Sequence, residues 1–194
     1  MRNVAPSQLT FAILAGGQGS RLGGIEKGLL RKDGQTLVER LLGLGLARAD
    51  TLLISNRGAP YAAKPGVRLV PDVASAAGPG AGLVSALLAA KTKWVLLVAC
   101  DQVGLTVDAL APLLVEGAEA RCFRVGGRLE PFPLLCRSSL GAKFRPMLSN
   151  SPGPTQLLSS CQLTTLEATP ERSAQLRSVN TEADLAELGV ERPR

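Results

Sequence analysis

Short apolar runs, each ending at a glycine or a carboxylate, limit what this chain can fold into more than any other feature. The run Trp94-Val-Leu-Leu-Val-Ala99 has no polar residue and stops at Cys100-Asp101. The run at 10–15 reads as another buried strand and stops at Gly16-Gly17. Strands of this kind need cover on both faces, which is the condition of a parallel sheet flanked by helices. Further strands are expected at 51–55 and at 67–70, the latter running into Pro71-Asp72. Helical patterns lie between them. Residues 36–46 begin with Thr36 and Glu39 at capping-box spacing. Residues 78–90 open with Gly78-Pro-Gly-Ala-Gly82 and place Leu83, Leu87 and Leu88 on one face. Residues 106–115 form a third helical stretch.

The order changes in the last third. Runs at 120–125 and 131–136 flank Gly126-Gly127 and predict two strands joined by a turn. Helical stretches are expected at 138–148 and 156–160, a strand at 163–168, and a last helix at 181–188. That helix has Thr181 and Asp184 in capping spacing and Gly189 past its end. With 194 residues the chain is expected to form one domain, residues 1–194. The expected class is α/β: a mostly parallel, Rossmann-like sheet with antiparallel additions in the C-terminal third.

Composition narrows the chemistry. The net charge of +6 favours anionic partners. Aromatic residues are only 3% of the chain, too few for base-stacking platforms, which argues against nucleic acid. There is no histidine, so His-based triads and His-liganded metals are excluded. Carboxylates, lysine, backbone dipoles or a hard metal ion must do the work. Cys100, Cys122, Cys136 and Cys161 show no Cys-x-x-Cys spacing and sit in or beside apolar stretches. They are expected to be reduced, partly buried thiols of a cytoplasmic protein. No segment has the length of a membrane span. Arg2 before the short apolar run at 9–15 mimics a minimal signal peptide, but a buried first strand is the better reading.

In parallel sheets, ligands bind beyond the carboxyl ends of the strands. The candidate residues all fall there: the loop from Gly16 to Lys27, then Asn56, Asp72 and Asp101. The loop carries six glycines between Gly16 and Gly28, with Arg21 and Lys27 beside them. Exposed amides and two cations suit phosphate groups. The loop is not a Walker A motif, because Gly28 follows Lys27, and Leu22 replaces the third glycine of a dinucleotide fingerprint. Lys27 and Arg21 are candidate phosphate contacts. Asp101, at the mouth of the most apolar strand, is a candidate Mg2+ ligand; the competing reading is a helix cap or turn. Asp72 is a turn residue or a ligand-binding one. The glycines at 78–82 let backbone approach a base or ribose, or simply start a helix.

Taken together, these pieces resemble the molybdenum cofactor guanylyltransferase (MobA-type) family within the nucleotidyltransferases. The resemblance rests on Leu14-Ala-Gly-Gly17, Arg21-Leu-Gly-Gly24, Lys27-Gly-Leu-Leu30, Asn56-Arg57, Asp72, Gly78-Pro-x-Ala-Gly82, Cys100-Asp101, Glu130-Pro131 and Val179-Asn-Thr181, in family order over nearly the whole chain. It implies a three-layer α/β/α sandwich. The nucleotide-binding half would be about 1–115 and the acceptor-binding half about 116–194. It also implies transfer of GMP from GTP to molybdopterin, with or without molybdenum, releasing pyrophosphate. The GTP site then falls on Leu14, Ala15, Gly16, Gly17, Lys27, Asn56, Asp72, Gly82 and Asp101, with Asp101 on Mg2+. Arg21, Lys27 and Asp101 become the catalytic set, and Asn180 an acceptor contact. Molybdoenzymes or other cofactor-synthesis proteins are the implied protein partners. The chain departs from the family pattern at Glu26, at Gly80, at Gln102-Val103 after Asp101, and at Ser178; residues 150–160 lack paired arginines. Two alternatives stay open: another nucleotidyltransferase of this fold, cytidylyl or sugar-nucleotide, and a non-catalytic GTP-binding or cofactor-delivery protein.

Overall fold

Strand β1 (Leu9–Leu14) is buried from Leu9 to Ile13 and holds the middle of the sheet. The structure, a computed structural model, describes residues 2–16, 20–46, 50–56, 65–73 and 78–193. After β1 comes a small hairpin, β2 (Arg31–Lys32) and β3 (Gln35–Thr36), which leads into helix α1 (Leu37–Leu42). Thr36 and Glu39 form the expected capping box. Strand β4 (Asp50–Ile54), strand β5 (Arg68–Val70), helix α2 (Pro79–Ala89) and strand β6 (Trp94–Ala99) follow. A short helix α3 (Val107–Leu110) passes into a 3-10 turn at Ala111–Leu113, because Pro112 has no N–H to continue the α-helical ladder. The expected helix at 106–115 is therefore split.

Strands β7 (Ala120–Val125) and β8 (Arg128–Arg137) form a hairpin across Gly126 and Gly127, whose φ values of 56 and 76 are those of a tight two-residue turn. Helix α4 (Leu140–Phe144) becomes 3-10 over Arg145–Asn150, again at a proline, Pro146. Helix α5 (Pro154–Leu158), strand β9 (Leu163–Glu167), helix α6 (Pro170–Gln175) and helix α7 (Glu182–Leu188) complete the chain. Neither the β2–β3 hairpin nor α6 was expected from the sequence.

The seven-stranded sheet has the order β5-β4-β1-β6-β8-β7-β9. Pairings β5–β4, β4–β1, β1–β6 and β7–β9 are parallel, whereas β8 is antiparallel to both neighbours. So β8 alone reverses the direction of the sheet. Helices cover both faces. Phe11, Ile13, Leu96, Val98 and Phe123 pack with Val38 and Leu41 of α1 and Leu110 of α3. Ala12, Leu52, Val95, Leu97 and Leu134 pack with Leu83, Val84 and Leu87 of α2, Leu140 of α4 and Leu157 of α5. Helix α2 packs on the sheet with α4 and α5 against its sides. It is buried from Gly80 through Leu87, while Leu88 is 44% exposed. The apolar face expected through Leu83, Leu87 and Leu88 is thus corrected: this helix is enclosed all round from Gly80 to Leu87 and opens only at its two ends. A third cluster joins Leu22, Leu30 and Leu37 to Val103, Val179, Leu185 and Val190. No helix among the described residues is long and apolar enough to cross a membrane. All four cysteines are free thiols, three of them buried.

Two contacts make the packing testable. A Cβ placed on Gly80 would stand 2.1 Å from the Pro152 carbonyl oxygen, so α2 and the segment before α5 approach as closely as backbones can. Gly80→Ala should lose about 1–3 kcal/mol in urea denaturation through overpacking; unchanged stability would mean that the 150–154 segment does not seat on α2. At the amino ends of the strands, Asp50 takes two bonds from Arg68 at 2.8 and 2.6 Å, with further bonds from Thr10 Oγ1 and the Lys91 amide. Burial alone would raise the Asp50 carboxyl, but these donors outweigh it and hold the carboxyl below its ordinary value of 3.8. A lowered carboxyl stabilises the fold above its unfolded pKa and loses that effect as pH falls through the folded one. Asp50→Asn should therefore cost about 1–3 kcal/mol at neutral pH. The gap to the parent protein should narrow below about pH 4 in thermal melts across pH.

Candidate functional site

The parallel register sets the site. Leu14 pairs with Ile54 and with Ala99, and Ile54 pairs with Val70. Four strand ends thus lie in one row. Gly16, Asn56, Asp72 and Asp101 each follow two residues later, so all four emerge along one edge of the sheet. Backbone bonds continue the row past the strands: Ala15 N–H to Ile54, Ser55 N–H to Val70, and Cys100 N–H to Leu14.

A cleft of about 700 Å³ opens over that edge. Its lining includes Leu14, Gly16, Lys27, Asn56, Asp72, Gly82, Asp101 and Asn180, all expected from the sequence. Ala15 does not join them. It is fully buried in the core, and its amide is spent on Ile54. Arg21 is exposed on the 3-10 turn Ser20–Leu22 and stands outside the lining, because Leu22 next to it inserts into the third core cluster. Gly17 and Arg57 lie outside the described residues.

At one end of the cleft, Asn56 and Asp72 bond to each other twice. Asn56 Nδ2 donates to Asp72 Oδ2 at 3.0 Å, and the Asp72 amide donates to Asn56 Oδ1 at 2.8 Å. Burial raises the Asp72 carboxyl, and the bond from Asn56 offsets only part of the rise. The first turn of α2 stands against this pair: a Cβ on Gly82 would reach 3.4 Å from Asp72 Oδ1 and 3.3 Å from Leu14 Cδ2. Gly78, Pro79 and Gly82 present the amino end of α2 to the cleft, which places its positive dipole end there. Gly80 is not part of this face; it is committed to Pro152.

At the centre, Lys27 Nζ donates to Asp101 Oδ2 at 2.7 Å and to Asn180 Oδ1 at 2.6 Å. These residues are 74 and 153 positions from Lys27. The third core cluster brings them together, with Leu22 and Leu30 on the Lys27 side and Val179 and Leu185 on the Asn180 side. Arg31 and Glu191 exchange backbone bonds of 2.9 and 2.7 Å, and Lys32 Nζ reaches the Leu188 carbonyl. The C-terminal helix is thereby tied to the β2–β3 hairpin.

The far wall holds residues that the sequence left out of the site: Gln102, Glu130, Phe132 and Ser178. Burial raises the Glu130 carboxyl, and the charge of Asp101 adds to the rise against the opposing pull of Arg128. Gln102 is 2% exposed, and its amide donates to the Phe132 carbonyl at 2.8 Å and accepts from the Ala99 amide at 3.3 Å. Residues 131–133 bow out where the β7–β8 register shifts between Cys122 and Phe123. Prolines at 131 and 133 inside an expected strand were the available signal for such a bulge. Strand β8 begins at Arg128, before the expected start at 131, because Arg128, Leu129 and Glu130 pair with Val125, Arg124 and Phe123 across the turn. Cys100 lines the cleft, but burial and then the Asp101 charge push its thiol strongly upward, so it is no nucleophile. The arrangement offers oxygen donors, an ammonium and a helix amino end in one hollow, which suits a phosphorylated ligand with a divalent cation.

Known proteins place the chain in one family. Residues 11–165 match the family model described as the MobA-like NTP transferase domain. A molybdenum cofactor guanylyltransferase of Pseudomonas entomophila is 35% identical over 148 residues, covering 73% of this chain and 75% of the relative. One from Photobacterium profundum is 26% identical over 187 residues, 94% of this chain and 96% of the relative. The solved molybdopterin-guanine dinucleotide biosynthesis protein A of Archaeoglobus fulgidus shares the fold, with a TM-score of 0.76 at 19% identity over 92% of this chain and 95% of that one. With a family model matched over most of its length, and with its candidate residues gathered at the carboxyl edge of the sheet, the chain belongs to the MobA-like NTP transferase family.

Proposed function

We propose that this protein transfers GMP from GTP to molybdopterin, forming the guanine dinucleotide cofactor and pyrophosphate. The observation that carries the reading is the row of Gly16, Asn56, Asp72 and Asp101 along one cleft, with Lys27 bonded to Asp101 at its centre. The relatives, molybdenum cofactor guanylyltransferases, suggest the guanine and the acceptor. The nucleotide lies toward Leu14, Gly16, Asn56, Asp72 and Gly82. The acceptor lies toward Asn180 and the far wall. Gly17 is assigned to the nucleotide side of this reading, and Arg21, outside the cleft lining, adds positive charge near the loop after β1.

The acceptor oxygen is a phosphate monoester oxygen, already anionic at neutral pH, so the chemistry needs no general base and suits a chain without histidine. That oxygen forms a bond to the α-phosphorus of GTP as the bond to the β-phosphate oxygen breaks. The protein contributes alignment and charge neutralisation. Lys27 exchanges its bond to Asp101 for phosphate oxygens, and the amino end of α2 faces the anion. Asp101 Oδ2 and Asn180 Oδ1 already converge on one cationic centre, the Lys27 ammonium, so hard oxygen donors are in place for Mg2+. Asp101 would hold the ion, which would supply charge neutralisation at the transferring phosphate. A molybdoenzyme or another cofactor-synthesis protein receives the product.

Asp101→Asn should reduce pyrophosphate release by about a hundredfold or more while leaving metal-free GTP binding intact. Near-normal turnover would remove Asp101 from the mechanism. Lys27→Ala should weaken GTP binding about tenfold to a hundredfold in calorimetry, the loss of one charged hydrogen bond of about 1.5–3 kcal/mol. In competition against a fluorescent guanine nucleotide, GTP should displace the probe and CTP should not. A preference for CTP would reassign the protein to a cytidylyl relative.

A further inference from the structure

The antiparallel ladder between β6 and β8 stops early, and one side chain occupies the place where it stops. The paired residues run from Trp94 with Arg137 to Leu97 with Leu134. Continued in the same register, the ladder would pair Ala99 with Phe132. It does not continue, because β8 bows outward at 131–133. Instead the Gln102 side chain stands between the two strands. Its Oε1 accepts from the Ala99 amide at 3.3 Å, and its Nε2 donates to the Phe132 carbonyl at 2.8 Å. A second, longer contact runs from Nε2 to the Leu176 carbonyl at 3.4 Å. The backbone of Gln102 bridges to Ser178, and the Asp101 carbonyl accepts from the Val179 amide at 3.0 Å.

A carboxamide has the donor and acceptor of a peptide unit. Inserted between Ala99 and Phe132, it satisfies both strands while holding them one side chain further apart than a ladder would. The residues on the lips of that opening are Asp101 and Asn180 on one side and Glu130 and Phe132 on the other. The nucleotide end is built by other elements, β1, β4, β5 and α2. We infer that Gln102 is a positioning residue that sets the width of the β6–β8 opening and so shapes the acceptor half of the cleft without touching the nucleotide half. Assignment of that half to the acceptor rests on the guanylyl-transfer reading; the spacer role of Gln102 does not.

The test uses the full chain carrying Gln102→Leu, which keeps a body of similar size and removes all three side-chain bonds. Gln102→Asn, whose amide is one methylene too short to span the gap, serves as the second variant. Steady-state kinetics with GTP and molybdopterin should show the acceptor KM raised about tenfold or more and the GTP KM within about twofold of the parent. Amide hydrogen exchange on the free protein should quicken at Ala99 and over 176–180, with 9–14 and 50–54 unchanged. Equal change in both KM values, or exchange that quickens throughout the sheet, assigns Gln102 a general stabilising role and overturns the proposal. So does parent-like exchange at Ala99. Should the parent protein transfer no GMP at all, the guanylyl-transfer reading falls, and the exchange measurement alone decides whether Gln102 is the spacer.

Discussion

Parallel pairing of β1 with β4 on one side and β6 on the other puts Leu14, Ile54 and Ala99 in one row, and β5 extends that row through Val70. Each of these strands is covered on at least one face by apolar helix side chains, and β1, β4 and β6 on both. A slip of one residue would turn each core-facing side chain to the opposite face, so burial locks the register. The chemistry follows from the lock. Residues placed two positions beyond four aligned ends must emerge together, and Gly16, Asn56, Asp72 and Asp101 are those residues.

The central charge of the cleft has a different origin. Lys27 belongs to the loop after β1 and Asn180 to the segment before α7, and no strand pairing brings them close. The cluster of Leu22, Leu30, Leu37, Val179 and Leu185 does so, together with the backbone exchange between Arg31 and Glu191. The last helix is therefore part of the site's construction, although Asn180 is its only expected contact. Where β6 and β8 part, the Gln102 amide replaces a missing rung of the ladder. One edge of the cleft is thus held by strand register, the other by packing and a single side chain.

Much of this was readable in one dimension. Apolar runs at 94–99 and 120–125 coincide with β6 and β7, and Thr36 and Thr181 cap their helices as their spacing implied. Lengths were less secure wherever a proline interrupted a helical pattern, as at Pro112 and Pro146. Residues Leu83, Leu87 and Leu88 suggested a stripe, yet α2 is enclosed by the sheet together with α4 and α5, and no local pattern reveals how many neighbours a helix will have. Gly80 looked like part of a ligand-facing glycine set and proved to be the landing point for Pro152. Gln102 looked like a departure in the loop after Asp101 and proved to be a buried bridge.

Residue order alone determined that strands and helices would alternate, that the ends of the first strands would carry glycines and carboxylates, and that no histidine chemistry was available. Those features depend on side-chain type and on spacing within a few residues, where local sterics and periodicity govern. Which strand lies beside which, where β8 leaves the ladder, and how Lys27 meets Asp101 and Asn180 were decided by tertiary structure. Those outcomes depend on burying surfaces from distant positions, which bring together pairs such as Lys27 and Asn180, 153 residues apart, and the free energy that selects them exists only once the core has closed.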